Sequence, residues 1–317
     1  MHNTPTRSVT YIEIDEDRAG QRIDNFLLSC LKGVPKKHIY RILRRGEVRV
    51  NSKRIRPFYR LAEGDSIRIP PVHLATVKTP QLTETTGTDQ LKNRIIYEDE
   101  WMLAINKPAG IPVHGGSGQQ CGLIEALRLL KPEAHYLELV HRLDLETSGC
   151  VLIAKKRSVL RILHDYFRNN QVNKCYQALL AGRWQKNKVL VSAPIRKQRT
   201  ENGARKVFVA NDGKEAVTEI RRLQQWGQYT LVECRPRTGR THQIRVHAQH
   251  IGHPIVCDQR YGNTKVNQRA SKNGLNRQFL HASSLHFKHP RTGEIVALHC
   301  PLDNNLALFL SKLGFEE

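Results

Sequence analysis

The densest group of reactive side chains lies in one short segment near the middle of the chain, residues 141–149, HRLDLETSG. The segment combines an arginine, two carboxylates, two hydroxyl groups and a glycine, and it separates apolar stretches at 137–140 and 150–154. A polar loop at the end of a rigid strand can present catalytic groups to a substrate. Asp144 is the carboxylate best placed for such a role. The alternative is an Asp that only accepts hydrogen bonds from the amides of its own turn.

A second segment, residues 235–247 (RPRTGRTHQIRVH), offers a fan of cations and amide donors. If residues 241–247 form a strand, alternate side chains point the same way, and Arg245 can reach a carboxylate while its neighbours reach phosphates. A buried carboxylate needs such a partner, because desolvation alone favours its protonated form. We predict that Arg245 is this partner. The alternative is an arginine that binds phosphate and has no catalytic partner.

Several other reaction classes lose support because their motifs are missing. The sequence has no G-x-x-x-x-G-K-[ST] phosphate loop, no G-x-G-x-x-G after a strand, no G-x-S-x-G elbow and no H-E-x-x-H pair. The glycine-rich run at 114–118 can bind an anion through its backbone amides, or it can simply make a tight connection.

Four histidines raise the question of a metal site: His242, His247, His250 and His253. On a helix the last three spread around the axis instead of converging, and no carboxylate stands beside them at ligand spacing. We therefore predict no metal site, and we interpret these residues as structural or substrate-facing histidines.

The elements that must position these segments are mostly strands. From residue 93 onward, short apolar or alternating runs are broken by glycine, proline and charged turns. The runs are RIIYED, WMLAINKP, GCVLIAKK, CYQALLAGRW, EAVTEIRRL and YTLVECRP. Two segments near 121–130 and 158–169 have the apolar spacing of helices. The sequence therefore predicts an α+β domain with a large mixed, mainly antiparallel sheet.

A compact basic unit precedes this domain. Between residues 20 and 70, thirteen Lys and Arg stand against four Asp and Glu. Apolar residues at helical spacing predict two helices, the second ended by Gly46, and short strands follow. This order of elements resembles the S4 RNA-binding domain, which implies that the following cations contact RNA phosphates: Lys36, Lys37, Arg41, Arg44, Arg45 and Lys53. The alternative is a solvated basic face, because such a row has no base-reading code of its own.

Composition narrows the class of partner. The chain of 317 residues carries 51 Lys and Arg against 29 Asp and Glu, a net charge of +22, with 39% hydrophobic residues. A folded protein with this charge is expected to bind a polyanion, and no apolar run approaches the ~20 residues that span a bilayer, so nucleic acid is favoured over membrane. The polar N-terminus lacks a signal peptide, and the seven scattered cysteines indicate neither disulfides nor a thiolate zinc site. We expect a cytoplasmic protein with reduced thiols.

Four segments together are similar to motifs of the RluA-type pseudouridine synthases, in the order that is typical of that family. They are NKPAG (106–110), HRLDLETSG (141–149), KCYQALLAG (174–182) and TGRTHQIRVH (238–247). The N-terminal unit resembles the S4 RNA-binding domain. The resemblance implies an S4-like domain (ααβ) at 18–75, a flexible polar linker at 76–92 and a pseudouridine synthase domain at 93–317. Two departures from the family pattern are Glu215, where relatives tend to have proline, and the linker itself.

The resemblance also implies roles for single residues. Asp144 matches the catalytic Asp, Tyr176 the aromatic that stacks on the target base, and Arg245 the Arg paired with the Asp. Arg142 matches the Arg that enters the RNA helix as the base leaves. The residues expected to bind substrate are Arg142, Thr147, Lys174, Arg240, His242 and Gln243. For Tyr176, the alternative is an ordinary core aromatic of a strand.

The implied reaction needs no metal, nucleotide or redox cofactor. Large-subunit (23S) ribosomal RNA is the expected substrate, transfer RNA is the alternative, and the protein is expected to be a monomer. A non-catalytic RNA-binding or ribosome-assembly protein and, more distantly, a nucleosidase or nuclease are the competing functions. The sequence leaves open whether Asp144 attacks the sugar C1′, stabilises positive charge there or takes a proton from C2′.

Overall fold

The computed structural model describes residues 8–31, 33–72, 88–115, 121–199 and 205–315. The chain separates into two compact units, and the boundary lies near residue 81. Most of the predicted linker and most of the glycine-rich run lie outside the described residues. Within the described residues, no helix is both long and apolar enough to cross a bilayer.

The first unit packs two helices on a small sheet. Its elements are β1 (Thr10–Glu13), a 3-10 turn (Glu16–Arg18), α1 (Ile23–Cys30), α2 (Lys36–Arg44), β2 (Arg49–Val50), β3 (Lys53–Arg54) and β4 (Ser66–Ile69). The strand order is β1-β4-β2-β3. The helix–helix–strand order agrees with the predicted S4-like arrangement, while β1 lies ahead of residue 18, where the prediction began.

The sequence of α2 explains both its packing and its end. Ile39, Ile42 and Leu43 recur at helical spacing and are at most 2% exposed, so one face of the helix enters the core of the unit. Gly46 has φ +68°, which favours glycine after a helix C-terminus. The two-residue turn between β2 and β3 also has positive φ at both positions, Asn51 (+48°) and Ser52 (+66°). This is the turn geometry that suits the twist of a tight hairpin.

The second unit is built on one large sheet. Its helices are α3 (Thr88–Lys92), α4 (Leu123–Leu130), α5 (Arg157–Arg168), α6 (Gln243–His250), α7 (Thr264–Lys272) and α8 (Asn304–Phe315). Its strands are β5 (Ile95–Glu98), β6 (Met102–Lys107), β7 (Glu138–Leu139), β8 (Ser148–Ala154), β9 (Asn173–Ala181), β10 (Lys188–Ser192), β11 (Ile195–Arg199), β12 (Arg205–Val209), β13 (Val217–Trp226), β14 (Tyr229–Pro236), β15 (Leu280–Lys288) and β16 (Ile295–His299).

The sheet runs β10-β13-β14-β9-β15-β8-β6-β5, with β16 paired to β15 and β7 to β8. Only the β15–β8 pair of this sheet is parallel, so the predicted α+β fold with a mixed, mainly antiparallel sheet is confirmed. All seven residues of β8 are buried, because α4 packs on one face of the sheet there and α5 on the other. Burial on both faces explains why this strand is uniformly apolar in sequence.

The prediction of a strand at 241–247 is wrong, because α6 covers most of that segment. The polar residues Gln243, Arg245 and His247 alternate with apolar Ile244 and Val246, which imitates the pattern of a half-buried strand. The helix is buried on nearly all sides, and its polar side chains are buried with hydrogen-bond partners. Alternation in sequence therefore did not correspond to alternation between core and solvent.

One row of residues crosses five strands at the centre of the sheet. Backbone pairing aligns Lys107 of β6 with Gly149, Gly149 with Ala282, Ala282 with Tyr176, and Tyr176 with Cys234 of β14. Residues directly opposite each other in a sheet point to the same face. A side chain at Gly149 would press on the neighbouring strand, because an added Cβ would lie 2.6 Å from the nitrogen of Ala282 and still closer to its carbonyl oxygen. The strands can lie in this register because the residue is glycine.

We expect Gly149→Ala to lower the free energy of unfolding by about 3 kcal/mol or more, because the Cβ meets backbone atoms that cannot rotate away. Gly252→Ala is the matched control, since Gly252 also has positive φ (+79°) but open space around its Cβ position. The control should cost about 1 kcal/mol from the left-handed backbone alone. Urea unfolding followed by circular dichroism measures both. Equal losses for the two variants would show that the close approach of β15 is not the constraint.

Candidate active site

A cleft of about 150 Å³ opens at the ends of the central strands. Its walls come from the loop before β8, from β9 and from the connection between β14 and α6. All the residues predicted for catalysis and substrate binding line it: Arg142, Asp144, Thr147, Lys174, Tyr176, Arg240, His242, Gln243 and Arg245. The structure thus brings together residues from three separate sequence motifs, while their individual roles stay predictions.

The guanidinium of Arg245 connects two carboxylates. Its Nη1 donates to Asp144 Oδ2 at 3.2 Å, while its Nε and Nη2 donate to the two oxygens of Asp258 at 2.7 and 2.9 Å. The pair with Asp258 is bidentate and buried, which makes it the stronger and more directional of the two. Asp258 therefore fixes the orientation in which Arg245 reaches Asp144.

Asp258 is itself held on several sides. It is 1% exposed, and its Oδ1 also accepts the backbone N–H groups of Arg260 and Tyr261 at 2.9 and 3.0 Å. Burial alone raises the pKa of Asp258, but Arg245 and the two amides together lower it below the ordinary range. Burial acts against the charged form of Arg245 too, yet the hydrogen bonds and charge of Asp258 leave the pKa of Arg245 raised. The buried pair is therefore ionised at neutral pH.

The loop that carries Asp144 is fixed from below by Lys107, the last residue of β6. Its side chain is fully buried, and Nζ donates to the carbonyl oxygens of Pro108 (2.8 Å), Ile111 (2.8 Å) and Leu145 (3.1 Å). Burial lowers the pKa of Lys107 to about 7, and the charge of Arg277 acts in the same direction. Three carbonyl acceptors match the three donors of its ammonium form. Lys107 thus ties the residue after Asp144 to the end of β6.

Arg277 fixes the other end of the same loop. Its Nη2 donates to the carbonyl oxygens of Glu146 and Leu280, both at 3.2 Å, and to Ser148 Oγ at 3.0 Å, while Nη1 pairs with Asp303. The side chains of Lys107 and Arg277 therefore bind successive carbonyl groups, at positions 145 and 146, directly after Asp144.

His242 stands on the other side of Asp144. It precedes α6 with φ +54°, and its Nε2 lies 3.7 Å from Asp144 Oδ2. Its Nδ1 lies 2.8 Å from the hydroxyl oxygen of Tyr261, whose ring packs under the guanidinium of Arg245. Burial and the charges of Arg245 and Arg260 lower the pKa of His242 against the opposing effect of Asp144. A neutral imidazole therefore faces the cleft.

Gln243 lines the cleft, but its side-chain amide is engaged within the protein. Its Oε1 accepts from Thr238 Oγ1 and the backbone N–H of Arg240, and its Nε2 donates to the carbonyl of Val217 and to Thr218 Oγ1. The structure therefore gives Gln243 a part in shaping the 238–240 loop. Direct contact of its amide with substrate stays a prediction.

The remaining predicted residues differ in exposure. Arg142 is exposed, and so is Arg240, whose Nε donates to the carbonyl of Glu215 at 2.9 Å. Thr147 is 2% exposed, and its N–H closes the turn onto the carbonyl of Asp144. Lys174 is half-buried, and its Nζ lies 6.0 Å from the centre of the Phe167 ring.

Tyr176 is half-buried on β9. Its ring packs against two apolar clusters while it also lines the cleft. Burial, and after it the charge of Asp144, raises the pKa of its hydroxyl. The ring therefore stays uncharged and can offer an apolar face at neutral pH.

The histidines downstream of the cleft have protein partners. His247 lies 2.9 Å from both Thr218 Oγ1 and the carbonyl of Ala193, and His253 lies 3.0 Å from the carbonyl of Ala181. Among the described residues, no three His, Cys, Asp or Glu side chains come together as metal ligands.

In the first unit, the six cations predicted to contact RNA are all exposed. Lys36, Lys37, Arg41, Arg44 and Arg45 belong to α2 and the residue after it, and Lys53 belongs to β3. They lie away from the buried face of α2. This arrangement leaves a row of cations open to solvent.

Sequence reasoning missed three residues that position the site. Asp258 follows an apolar run (IVC) as a single carboxylate, which is a weak signal for a buried partner of Arg245. Lys107 belongs to the NKPAG segment, but a lysine in sequence looks like a surface residue. For Arg277 we find no signal in the sequence.

The family of RNA pseudouridylate synthases matches residues 102–250, and the S4 domain family matches residues 21–67. Ribosomal large subunit pseudouridine synthase C of Escherichia coli K12 is 50% identical over 316 residues, 98% of each chain. The protein of the same name from Haemophilus ducreyi is 48% identical over 315 residues, 99% of this chain and 98% of its own.

Solved structures show the same likeness. Human RNA pseudouridylate synthase domain containing 4 is 28% identical, with a TM-score of 0.60, over 72% of this chain and 95% of its own. Human RNA pseudouridylate synthase domain containing 1 is 26% identical, with a TM-score of 0.58, over 72% of this chain and 96% of its own.

The buried pair makes a prediction about stability and pH. We expect Asp258→Asn to lower the free energy of unfolding at pH 7 by about 3 kcal/mol, because it leaves Arg245 buried without its main countercharge. The pKa of the Asp258 carboxyl is about 3.9 in the unfolded chain and lower in the folded protein. The ionised carboxylate therefore contributes its full stabilisation above about pH 3.9, and this contribution is lost as the pH falls from about 3.9 through the folded pKa. The difference between wild type and variant should stay constant from pH 7 to 5 and narrow below about pH 4.

Guanidinium unfolding at pH 7, 5 and 3 measures this difference. Asp212→Asn is the control, since Asp212 pairs with Arg196 at 2.5 Å but both side chains are exposed, at 64% and 42%. It should cost less than about 1 kcal/mol at every pH. A difference between wild type and Asp258→Asn that is unchanged at pH 3 would contradict the ionised pair.

Proposed function

Since the chain belongs to the RNA pseudouridylate synthase family and carries an S4 domain, it is an RNA pseudouridine synthase, and we propose that it isomerises uridines of large-subunit ribosomal RNA with Asp144 as its catalytic carboxylate. The observation that carries the proposal is the placement of Asp144: one oxygen accepts from Arg245, and the carboxylate lines a cleft together with Tyr176. Relatives that are about 50% identical over nearly the whole chain are named as pseudouridine synthases of the large ribosomal subunit, and this name supports large-subunit ribosomal RNA as the substrate. We also propose that the protein is located in the cytoplasm, where it would meet a ribosomal RNA substrate.

The reaction moves uracil from an N1 to a C5 bond with the sugar C1′, so the base must turn while its ribose stays in place. Neither C1′ nor C5 is open to a protein group inside an RNA helix, so the target nucleotide must leave its stack. Tyr176 supports this step, because a base that stacks on its ring recovers on the order of 1–3 kcal/mol. Arg142 is exposed at the rim of the cleft, where it can enter the space that the base leaves.

The carboxylate of Asp144 then acts on the ribose. It either attacks C1′ or removes a proton from C2′, and both routes need its oxygen free and correctly aimed. Arg245 binds one oxygen, Oδ2, and no other contact of that side chain ties up Oδ1 among the described residues. Lys107 and Arg277 fix the backbone after Asp144. The site therefore orients the carboxylate before RNA arrives, which lowers the cost of reaching a reactive geometry.

The S4 domain supplies a second contact with RNA. Its exposed row of cations can follow a phosphate backbone, and contacts of this kind place the RNA without reading its sequence. We propose that the row increases affinity and that the choice of uridine depends on RNA shape around the catalytic cleft.

Mapping of pseudouridine by carbodiimide adducts and primer extension tests the proposed function. Unmodified large-subunit ribosomal RNA is incubated with purified protein in magnesium buffer without added cofactor. New stops on this RNA would support the proposal. Stops on transfer RNA alone would replace the substrate, and the absence of stops on both RNAs would contradict the proposal.

Asp144→Asn should reduce the rate of isomerisation by about 10⁴-fold or more, because an amide can neither attack C1′ nor accept the C2′ proton. Affinity for RNA should change by no more than a few-fold, since the side chain keeps its volume. Asp165→Asn, on the exposed surface of α5, is the control and should keep full activity. Single-turnover kinetics and filter binding separate the two effects. Residual turnover within tenfold of wild type would remove Asp144 from the proposed role.

Replacing Lys37, Arg41 and Arg45 of the S4 domain together by Gln should weaken RNA binding and flatten its dependence on salt. Each lost phosphate contact should reduce the slope of log K against log[salt] by about 0.7–0.9. The control replaces Lys265, Arg269 and Lys272 of α7, which are exposed in the other unit. Equal slopes for wild type and the S4 variant would mean that α2 carries a solvated face only.

A further inference from the structure

A second cavity lies beside the cleft on the same unit. This groove, which we call the β9–β14 groove, has a volume of about 730 Å³. Lys174 and Pro236 line both the groove and the cleft. A chain that leaves the cleft at this point can pass into the groove without leaving the protein surface.

The charges along the groove are arranged in two layers. Glu219 and Glu233 lie at its floor, with side chains 16% and 15% exposed. On the groove side, Arg235 Nε lies 3.0 Å from Glu233 and Arg237 Nη2 lies 3.5 Å from Glu219. These two arginines are 58% and 62% exposed, so the carboxylates are covered and the cations face outward.

Each floor carboxylate also has a second cation, on the side away from the groove. Arg221 lies 3.1 Å from Glu233, and Lys188 lies 2.8 Å from Glu219. Neither Arg221 nor Lys188 lines the groove. The network therefore contains four cations for two carboxylates. A network with only a structural role would not need the two additional cations, because exposed ion pairs contribute little to stability.

We infer that the β9–β14 groove binds the phosphate backbone of the RNA strand next to the target uridine, with Arg235 and Arg237 as its phosphate contacts. The inference rests on the proposed function, since it takes RNA as the molecule that occupies the cleft. Arg235 lies in β14 and Arg237 directly follows the strand, and both reach carboxylates that line the groove, so the two guanidinium groups face the same groove. Guanidinium groups placed in this way can bind neighbouring phosphates of one extended strand, and planar donors suit phosphate oxygens.

The floor carboxylates Glu219 and Glu233 hold the arginines of the groove in position before RNA binds. The charge of Glu233, with the hydrogen bond that accompanies it, raises the pKa of Arg235 against the effect of burial. The hydrogen bonds and charges of Lys188 and Arg237 lower the pKa of Glu219. Burial acts to raise the pKa of Glu233, but a hydrogen bond with Cys175 and, after it, the cations Arg221 and Arg235 lower it. Arg235 and Arg237 are thus held by carboxylates, while more than half of each side chain stays exposed and can reach a phosphate.

The test compares two double variants that remove the same charge from the same network. Arg235→Gln/Arg237→Gln removes the two cations on the groove side, while Arg221→Gln/Lys188→Gln removes the two on the far side. Each variant leaves both floor carboxylates with one cation, so both should fold. The RNA is a fragment that wild type modifies in the mapping experiment, which makes the result independent of whether that RNA is ribosomal or transfer RNA.

The groove-side variant should raise KM by about tenfold with kcat nearly unchanged, and it should reduce the slope of log K against log[salt] by about 1.4–1.8 for two phosphates. The far-side variant should change KM by less than about twofold and leave the slope as in wild type. RNA affinity is also measured in the Asp144→Asn background, where the result does not depend on whether Asp144 is the catalytic residue. Equal effects of the two double variants would overturn the inference, and so would an unchanged salt slope for Arg235→Gln/Arg237→Gln.

Discussion

The shared guanidinium of Arg245 is the contact on which the rest of the site depends. It binds a fully buried carboxylate with two hydrogen bonds and the cleft carboxylate with one. The unequal division matters, because a buried bidentate pair fixes the plane of the guanidinium and leaves a single donor to aim at Asp144. An arginine side chain has many rotatable bonds, so holding it to within a few tenths of an ångström costs conformational entropy. Without a fixed partner, Arg245 would lose this entropy when RNA binds. Asp258 supplies that restriction during folding, before RNA is present.

The large sheet sets the distance between the parts of the site. The row from Lys107 to Cys234 places a buried cation, a glycine, an alanine and the ring of Tyr176 side by side on one face. The loop with Asp144 directly precedes β8, so the strand that carries Gly149 also fixes one end of this loop. Lys107 and Arg277 then bind the carbonyl groups that this loop exposes toward the interior, so the polar backbone does not remain unpaired.

Much of the fold and most of the cleft could be predicted, and the failures have physical causes. Strands such as YTLVECRP and the two helices of the S4 domain were readable, because burial on one or both faces imposes a period on the sequence. The segment at 241–247 was misread, since Gln243, Arg245 and His247 are polar and buried at once, each with hydrogen-bond partners that only the folded chain supplies. Asp258, Lys107 and Arg277 could not be found for the same reason. A buried charge is recognised by the partners that the folded chain brings to it, so the local sequence gives at most a weak signal.

The crowded register around Gly149 also bears on how an enzyme of this kind diversifies. At Gly149 there is no room for a larger side chain, because the added Cβ would strike the backbone of Ala282. A variant designed for a different RNA target therefore has to keep glycine at this position. Freedom remains at the rim, in exposed residues such as Arg142 and Arg240, and in the separate S4 domain. The residues of the reacting centre are therefore expected to stay constant, while new RNA specificities arise from changes in the residues around it.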